Sequence, residues 1–299
     1  GSFSIIISLS IMNGFEDIVS NRLIGFEGDL RIFGNYDINE LNKIDIIDDI
    51  SPFIERNAII EKFNEFTMAT FKAIEPSKIE NFYNIPFEGK SPKEGQAMIG
   101  QELAIRLGLN IGDSISIFSP IDQNFGFGLP KKKRMIVSAI FFSKVLDYDF
   151  RYVFITYEDG EKLFKKKKRQ ISSDIRISSD LDLNVIKENL ILKLNRNVII
   201  KSWSDLNESL VKAMKLEKIG AVIVLSLIFV VASFNLAMSL SLNSIQNLKE
   251  IGLLRSIGAS KNSIKKIIII MGIKLAGIGI FFGTIIAIMI ILLQNKFGF

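Results

Sequence analysis

"IGAVIVLSLIFVVASFNLAMSLSL", residues 219–242, holds no charged side chain over 24 consecutive positions. That is long enough to cross a hydrocarbon core of roughly 30 Å as a helix. A buried helix of a soluble domain rarely runs this far without a polar face. The stretch is therefore read as a membrane span. A second run, Ile267–Leu293, is interrupted only by Lys274 near its start. A lysine so placed can extend its ammonium to the interface along its flexible stem, so this run also reads as a span. The opening "GSFSIIISLSIMNGF", residues 1–15, is uncharged too, but too short to span alone. It lacks the Met and basic flank of a secretory signal. The expectation is the end of a truncated first transmembrane helix.

Between the two long runs lies "NLKEIGLLRSIGASKNSIKK", residues 247–266. Residues 243–299 carry Lys249, Arg255, Lys261, Lys265, Lys266, Lys274 and Lys296 against a single acid, Glu250, while the rest of the chain is close to neutral. Short basic loops between spans belong in the cytoplasm. The bulk of the chain then lies on the other side. This gives an expected order of 1–15, the end of a first transmembrane helix; 16–217, an extracytoplasmic domain; 218–242, a second helix; 243–265, a cytoplasmic coupling segment; and 266–295, a third helix. A fourth helix is expected beyond residue 299.

Within 16–217, short strands alternate with short helices. "DLRIFG" and "EFTMATFKAIE" alternate apolar and polar residues as half-buried strands do, and "QAMIG" leads into "QELAIRLGL", a helix. Gly108, Gly112 and Asp113 punctuate its end before "SISIFSP". "KRMIVSAIFFS" and "RYVFITY" read as strands and "EDGEKLF" as a helix; "SDIRIS", "LNVIKENLILKL" and "NVIIKSW" read as strand, helix, strand. The fold class is thus a membrane protein of α-helical transmembrane segments plus a large mixed α+β extracytoplasmic domain inserted between the first and second helices. Two lobes with a boundary near 85–95 are expected inside that domain.

The chain has no cysteine and no histidine, which excludes Cys/His zinc sites, thiol catalysis and a Ser-His-Asp triad within it. "FEGKS", residues 87–91, resembles the end of a phosphate-binding loop, but Asn84 stands near where its first glycine belongs. "GIGIFFG", 277–283, falls inside a membrane helix, where Gly279 and Gly283 suit close helix packing. "KKKKR", 165–169, reads as a solvated charge run, and the acidic clusters "YEDGE" and "DIIDD" as surface acids. Asn235, a lone amide in an apolar span, is expected either to bond a neighbouring helix or to line a polar cavity. Ile245, Leu248, Ile251, Leu254 and Ile257 recur every third residue, Gly258 suits a helix end and Ser260 can cap the next helix. The result is a short amphipathic knob able to seat in a groove on another protein.

"SLSIMNGFE", "LSLIFVVASFNLAMSLSL" and "LKEIGLLRSIGAS", together with "MIGQELAIRLGLNIGDSISIFSP" and "WSDLNESLVKAMKLEK", resemble the permease subunits of the bacterial lipoprotein-releasing (Lol-type) ABC transporter. The similarity runs in order along nearly the whole chain. "EIGLLRSIGAS" alone is shared with the wider FtsX-like and macrolide-efflux permeases. The resemblance implies a non-enzymatic subunit of an inner-membrane complex with a MacB-like periplasmic domain. Its implied partners are two copies of an ABC ATPase that binds ATP and Mg, a second permease subunit, a periplasmic lipoprotein carrier, lipoprotein substrates and membrane lipids. No cofactor of this chain, no catalytic or metal-binding residue and no nucleic acid is implied. Leu248, Glu250, Ile251, Leu254, Arg255, Ile257 and Gly258 would couple to the ATPase. Asp122, Phe125, Phe127, Leu129 and Lys131, in the segment 119–135, would form a carrier-recruiting hairpin. Ile11, Met12, Phe234, Asn235 and Met238 would line a lipid cavity. An efflux-type mechanotransmitting permease and an FtsX-type regulator of periplasmic cell-wall hydrolases remain alternatives at this point.

Overall fold

The computed structural model describes residues 1–34, 36–62, 65–120, 132–164, 171–178, 182–194 and 198–297. The elements run α1 (Ser2–Glu27), β1 (Leu30–Gly34), α2 (Ile38–Leu41), β2 (Ile47–Lys62), β3 (Glu65–Ile74), α3 (Pro76–Asn81), β4 (Phe87–Gly89), β5 (Gln96–Gly100), α4 (Gln101–Arg106), β6 (Ser114–Phe118) and β7 (Lys133–Phe141). They continue α5 (Leu146–Arg151), β8 (Tyr152–Thr156), α6 (Tyr157–Leu163), β9 (Ile171–Ile177), α7 (Leu183–Lys193), β10 (Ile199–Ser202), α8 (Trp203–Leu206), α9 (Glu208–Gln246), α10 (Leu248–Ser256) and α11 (Lys261–Phe297). The chain divides into two compact units, one of Gly1–Asp17 with Ser209–Phe299, the other of Ile18–Glu208.

Among the described residues, the Ile18–Glu208 unit is built on ten strands. Strand β2 pairs antiparallel with β9 through Ile47–Phe53 and with β3 through Ile54–Lys62. Its first half therefore belongs to a four-stranded sheet, β10-β1-β9-β2, and its second half to a ring. The ring forms because β6 bonds both β2 and β7, so the ladder β2-β3-β8-β5-β7-β6 returns to its start. The change of partner falls at Phe53/Ile54. Across residues 85–95 there is no such change: β4 and β5 both pair with β7.

Alternation along the ring strands sorts side chains to two faces. Ala69, Phe71 and Ala73 of β3, Ala97 and Ile99 of β5, Val153 and Ile155 of β8 and Ile115 and Ile117 of β6 fill one cluster. Ile74, Met98 and Phe154 point the other way, into a second cluster with Leu23 and Phe26 of α1. A third cluster packs Leu30, Ile32, Ile175 and Ile200 of the four-stranded sheet against Ile186 and Leu190 of α7. Phe26 anchors the end of α1, stacking on Tyr148 at 4.2 Å between centroids and meeting Tyr152 edge-on at 4.8 Å.

Lys72 shares the face of β3 that carries Ile74, while Arg31 and Asp174 turn away from the third cluster, so a buried charge centre forms beside the second cluster, which holds Phe53 and Tyr83. Asp174 of β9 is 0% exposed at its side chain. Its carboxylate accepts from Arg31 Nε at 2.6 Å, Lys72 Nζ at 2.6 Å and the Tyr83 hydroxyl at 2.8 Å. Arg31 is the cross-strand partner of Asp174 in the β1–β9 ladder, and Lys72 lies opposite Glu55 in the β2–β3 ladder. Both cations sit over the ring of Phe53, at 4.8 Å and 4.7 Å from its centroid. Burial disfavours the charged form of Arg31, but the carboxylates of Asp174 and Glu55 outweigh it and hold the guanidinium well above its ordinary value. Burial pulls the Lys72 ammonium down, with Asp174 opposing.

Several local expectations change. The acids of "YEDGE" are not all at the surface: Asp159 is fully buried, accepts from Gly95 N at 2.7 Å and pairs with Lys133. In "DIIDD", Asp49 pairs with Lys78. "FEGKS" opens as β4, where Gly89 has φ +106 and a Cβ would lie 2.4 Å from Ser138 O. Its glycine serves close approach to β7. Helix α4 stops at Arg106, short of the "QELAIRLGL" span. The run 165–169 lies outside the described residues.

Removing the Asp174 carboxylate strands two buried cations. Asp174→Ala is expected to cost about 3–5 kcal/mol of the unit's stability, read from urea unfolding monitored by the single tryptophan, Trp203. Tyr36 donates its hydroxyl to Ser173 Oγ at 2.7 Å, and burial pushes its pKa up to about 12. The folded phenol thus keeps its proton where the unfolded phenol, near pH 10, loses it. Its contribution is complete below pH 10 and is lost as pH rises toward 12. Tyr36→Phe is expected to flatten that alkaline fall in the same unfolding assay.

Candidate functional site

In the other unit, three helices among the described residues are long and apolar enough to cross a membrane: Ser2–Glu27, Glu208–Gln246 and Lys261–Gln294. Only the first part of Ser2–Glu27, up to Asp17, belongs to that unit. Their apolar side chains face outward in the isolated chain, as at Ile223, Phe229 and Phe281. Lipid or partner helices cover such surfaces. Gly283 of α11 packs on Ser2 and Phe3, and Gly272 on Leu240; nothing lies within 4 Å of a Cβ at Gly279.

Helix α10 stands between α9 and α11. Asn247 alone separates it from α9. Leu248, Glu250, Leu254 and Arg255 are exposed and Ile251 is half-buried. Ile257 is the residue that closes the helix, and Gly258 follows with φ +102, a left-handed conformation that glycine adopts without Cβ strain. Its N–H donates to Arg255 O at 3.1 Å, and Ala259 N donates to Leu254 O at 3.0 Å, the geometry that stops a helix and reverses the chain. Ser260 then accepts from Ser263 N at 3.2 Å and caps α11. All seven residues read as coupling positions thus share one short, outward-facing element and its stop. Ile245, counted in the same stripe, belongs to α9.

The cavity residues separate. Ile11 and Met12 line a cavity of about 280 Å³ with Phe15, Glu16, Met214 and Lys218. Lys218 Nζ pairs with Glu16 at 3.1 Å beside it. Phe234 and Met238 lie some twenty residues further along α9, 73% and 68% exposed, and do not line this cavity. Asn235 is exposed beside them. The hairpin residues Asp122, Phe125, Phe127, Leu129 and Lys131 lie outside the described residues. The strands flanking them end in Phe118 and begin at Lys133; Lys132 sits 6.0 Å from the Phe118 ring centroid, and Phe66 meets that ring edge-on.

One feature escaped the sequence reading. Asn207, just before α9, donates Nδ2 to Glu27 Oε2 at 2.8 Å and accepts from the Tyr148 hydroxyl at 3.2 Å. The segments by which the chain enters and leaves the Ile18–Glu208 unit are thereby tied together. An asparagine following the capped turn "SWSDLN" was the available signal.

Residues 222–299 match the FtsX-like permease C-terminal family, a range that holds α10, α11 and most of α9. The chain is 31% identical over 312 residues to the lipoprotein-releasing system transmembrane protein LolC of Buchnera aphidicola subsp. Schizaphis graminum, covering 100% of this chain and 77% of that protein. It is 24% identical over 322 residues to LolE of Haemophilus influenzae, covering 98% and 75%. The chain belongs to the LolC/LolE family of lipoprotein-releasing system transmembrane proteins. Among solved structures, the periplasmic region of MacB from Actinobacillus actinomycetemcomitans aligns at a TM-score of 0.44 and 13% identity, covering 62% of this chain and 94% of that one.

Proposed function

We propose that the chain is the non-enzymatic permease subunit of an ATP-driven complex that extracts lipoproteins from the outer leaflet of the inner membrane and passes them to a periplasmic carrier. The observation that carries this reading is the pairing of LolC likeness along the whole of this chain with α10, an exposed amphipathic helix with a defined stop, set between two apolar helices. The basic residues around α10 favour a cytoplasmic position, which puts the Ile18–Glu208 unit in the periplasm.

In this reading Leu248, Ile251 and Leu254 seat α10 in a groove of a partner ATPase, two copies of which bind ATP and Mg. Glu250 and Arg255 make its polar contacts. A second permease subunit completes the complex. The segment 119–135 recruits the carrier through Phe125 and Phe127. Acyl chains demand an apolar path, which Ile11 and Met12 begin and Phe234 and Met238 extend on the face turned toward the companion subunit. Methionine adapts its shape to varied chains.

Depletion of the protein is expected to leave lipoproteins in the inner membrane, measured by membrane fractionation; an unchanged distribution would overturn the reading. Glu250→Lys is expected to leave the complex assembled and hydrolysing ATP while lipoprotein release falls about tenfold or more, the scale of a reversed contact charge. Release and hydrolysis measured on the same reconstituted complex check it.

A further inference from the structure

Between the last turns of α1 and the loops at 84–86 and 142–144 lies a cavity of about 250 Å³. Asn21, Arg22, Asn84, Ser143 and Lys144 give it two cations, two amides and a hydroxyl, and none of its lining residues is acidic. Lys144 has φ 60 and is the one non-glycine residue of positive φ among the described residues, a conformation costly for a residue with a Cβ. The turn is imposed by Asp149, 6% exposed, whose Oδ1 accepts from both Ser143 N and Ser143 Oγ at 2.7 Å. Ser143 Oγ in turn accepts from Val145 N at 3.1 Å. The nearest buried carboxylate is thus already engaged with Ser143, and Asp147 pairs with Arg151 at 2.9 Å. Arg22 donates Nη1 to Lys144 O at 3.3 Å, which joins the two cationic residues and leaves the other guanidinium N–H groups free to donate. Neither Arg22 nor Lys144 has a carboxylate partner among the described residues.

We propose that this cavity binds a phosphate-bearing anion, either the headgroup of an anionic phospholipid or free phosphate. Two cations with amide donors and no acid in the lining are the donor set that phosphate oxygens take. Arg22 follows Phe15 by about two helical turns along α1, so the cavity lies close along the chain to the uncharged segment 1–15. The ligand is distinct from a transported lipoprotein, and the site stands whether or not the transport reading holds.

The test uses the whole chain in nanodiscs of phosphatidylcholine containing phosphatidylglycerol, with bound lipid counted by native mass spectrometry. R22Q/K144N removes both charges, and asparagine tolerates the left-handed backbone at 144. Both positions are exposed, so the Trp203 unfolding midpoint is expected to match the parent's. Phosphatidylglycerol retention is expected to fall at least about fivefold in this variant and to persist in R22K/K144R. In the parent, displacement by added inorganic phosphate identifies free phosphate as a ligand of the same cavity; retention in its presence identifies the headgroup. Both support the site. Equal retention by R22Q/K144N and the parent, or equal loss from both double variants, overturns it.

Discussion

The carboxylate of Asp174 holds the Ile18–Glu208 unit together. Its three donors come from separate parts of the chain: Arg31 from β1, Lys72 from β3 and Tyr83 from the turn after α3. The four-stranded sheet and the ring share only β2, so hydrogen-bonded ladders alone would leave them hinged about Phe53/Ile54. The ion cluster closes that hinge from the inside. Such a cluster adds little net stability compared with an apolar filling of equal volume. It does forbid every packing in which one of the three charges lacks its partner. Phe53, beneath both cations, supplies the apolar floor and a ring face to each.

The aromatic cluster beside it fixes the end of α1. Phe26 contacts Tyr148, Tyr152, Phe141 and Phe154, and Arg176 donates to Gly25 O and Phe82 O, so the last carbonyls of the helix are met by a cation. Adjacent to this, Asn207 links Glu27 to Tyr148. Entry and exit of the chain are therefore held by the same few side chains, and a displacement of one segment strains the other.

Much of this was legible. Period-two alternation located β1 and β3, the short apolar segments read as strands coincide with β7 to β10, and the glycine stop with its following serine located the turn after α10. The long β2 was missed because "DISPFIERNAIIEK" carries Pro52 and scattered charges and is partly buried on both faces. The charge centre was missed for a related reason. "LRI" and "FKA" each place one charge between apolar neighbours and "SDI" places one between a serine and an isoleucine, and alternation correctly sends that charge to the opposite face. Alternation cannot tell that another layer covers that face. Three strands with such charges of opposite sign, Arg31, Lys72 and Asp174, were the available clue. In α10, three-residue spacing ran the stripe back to Ile245, across a break at Asn247 that local periodicity does not register.

The order of the strands also sets an order of assembly. All six strands of the ring have emerged once the chain reaches Thr156, but β1 bonds only β9 and β10. It waits for residues 171–202 with its arginine unneutralised, while Lys72 waits on the ring for the same aspartate. Pairings that span so much chain form late. The four-stranded sheet is completed only as the chain arrives at Ser202, a few residues before α9 begins. Asp174 is therefore the last charged group of this centre to emerge, after Arg31, Glu55 and Lys72, and a chain that stalls before β9 is left with an excess of positive charge where the finished protein has its centre.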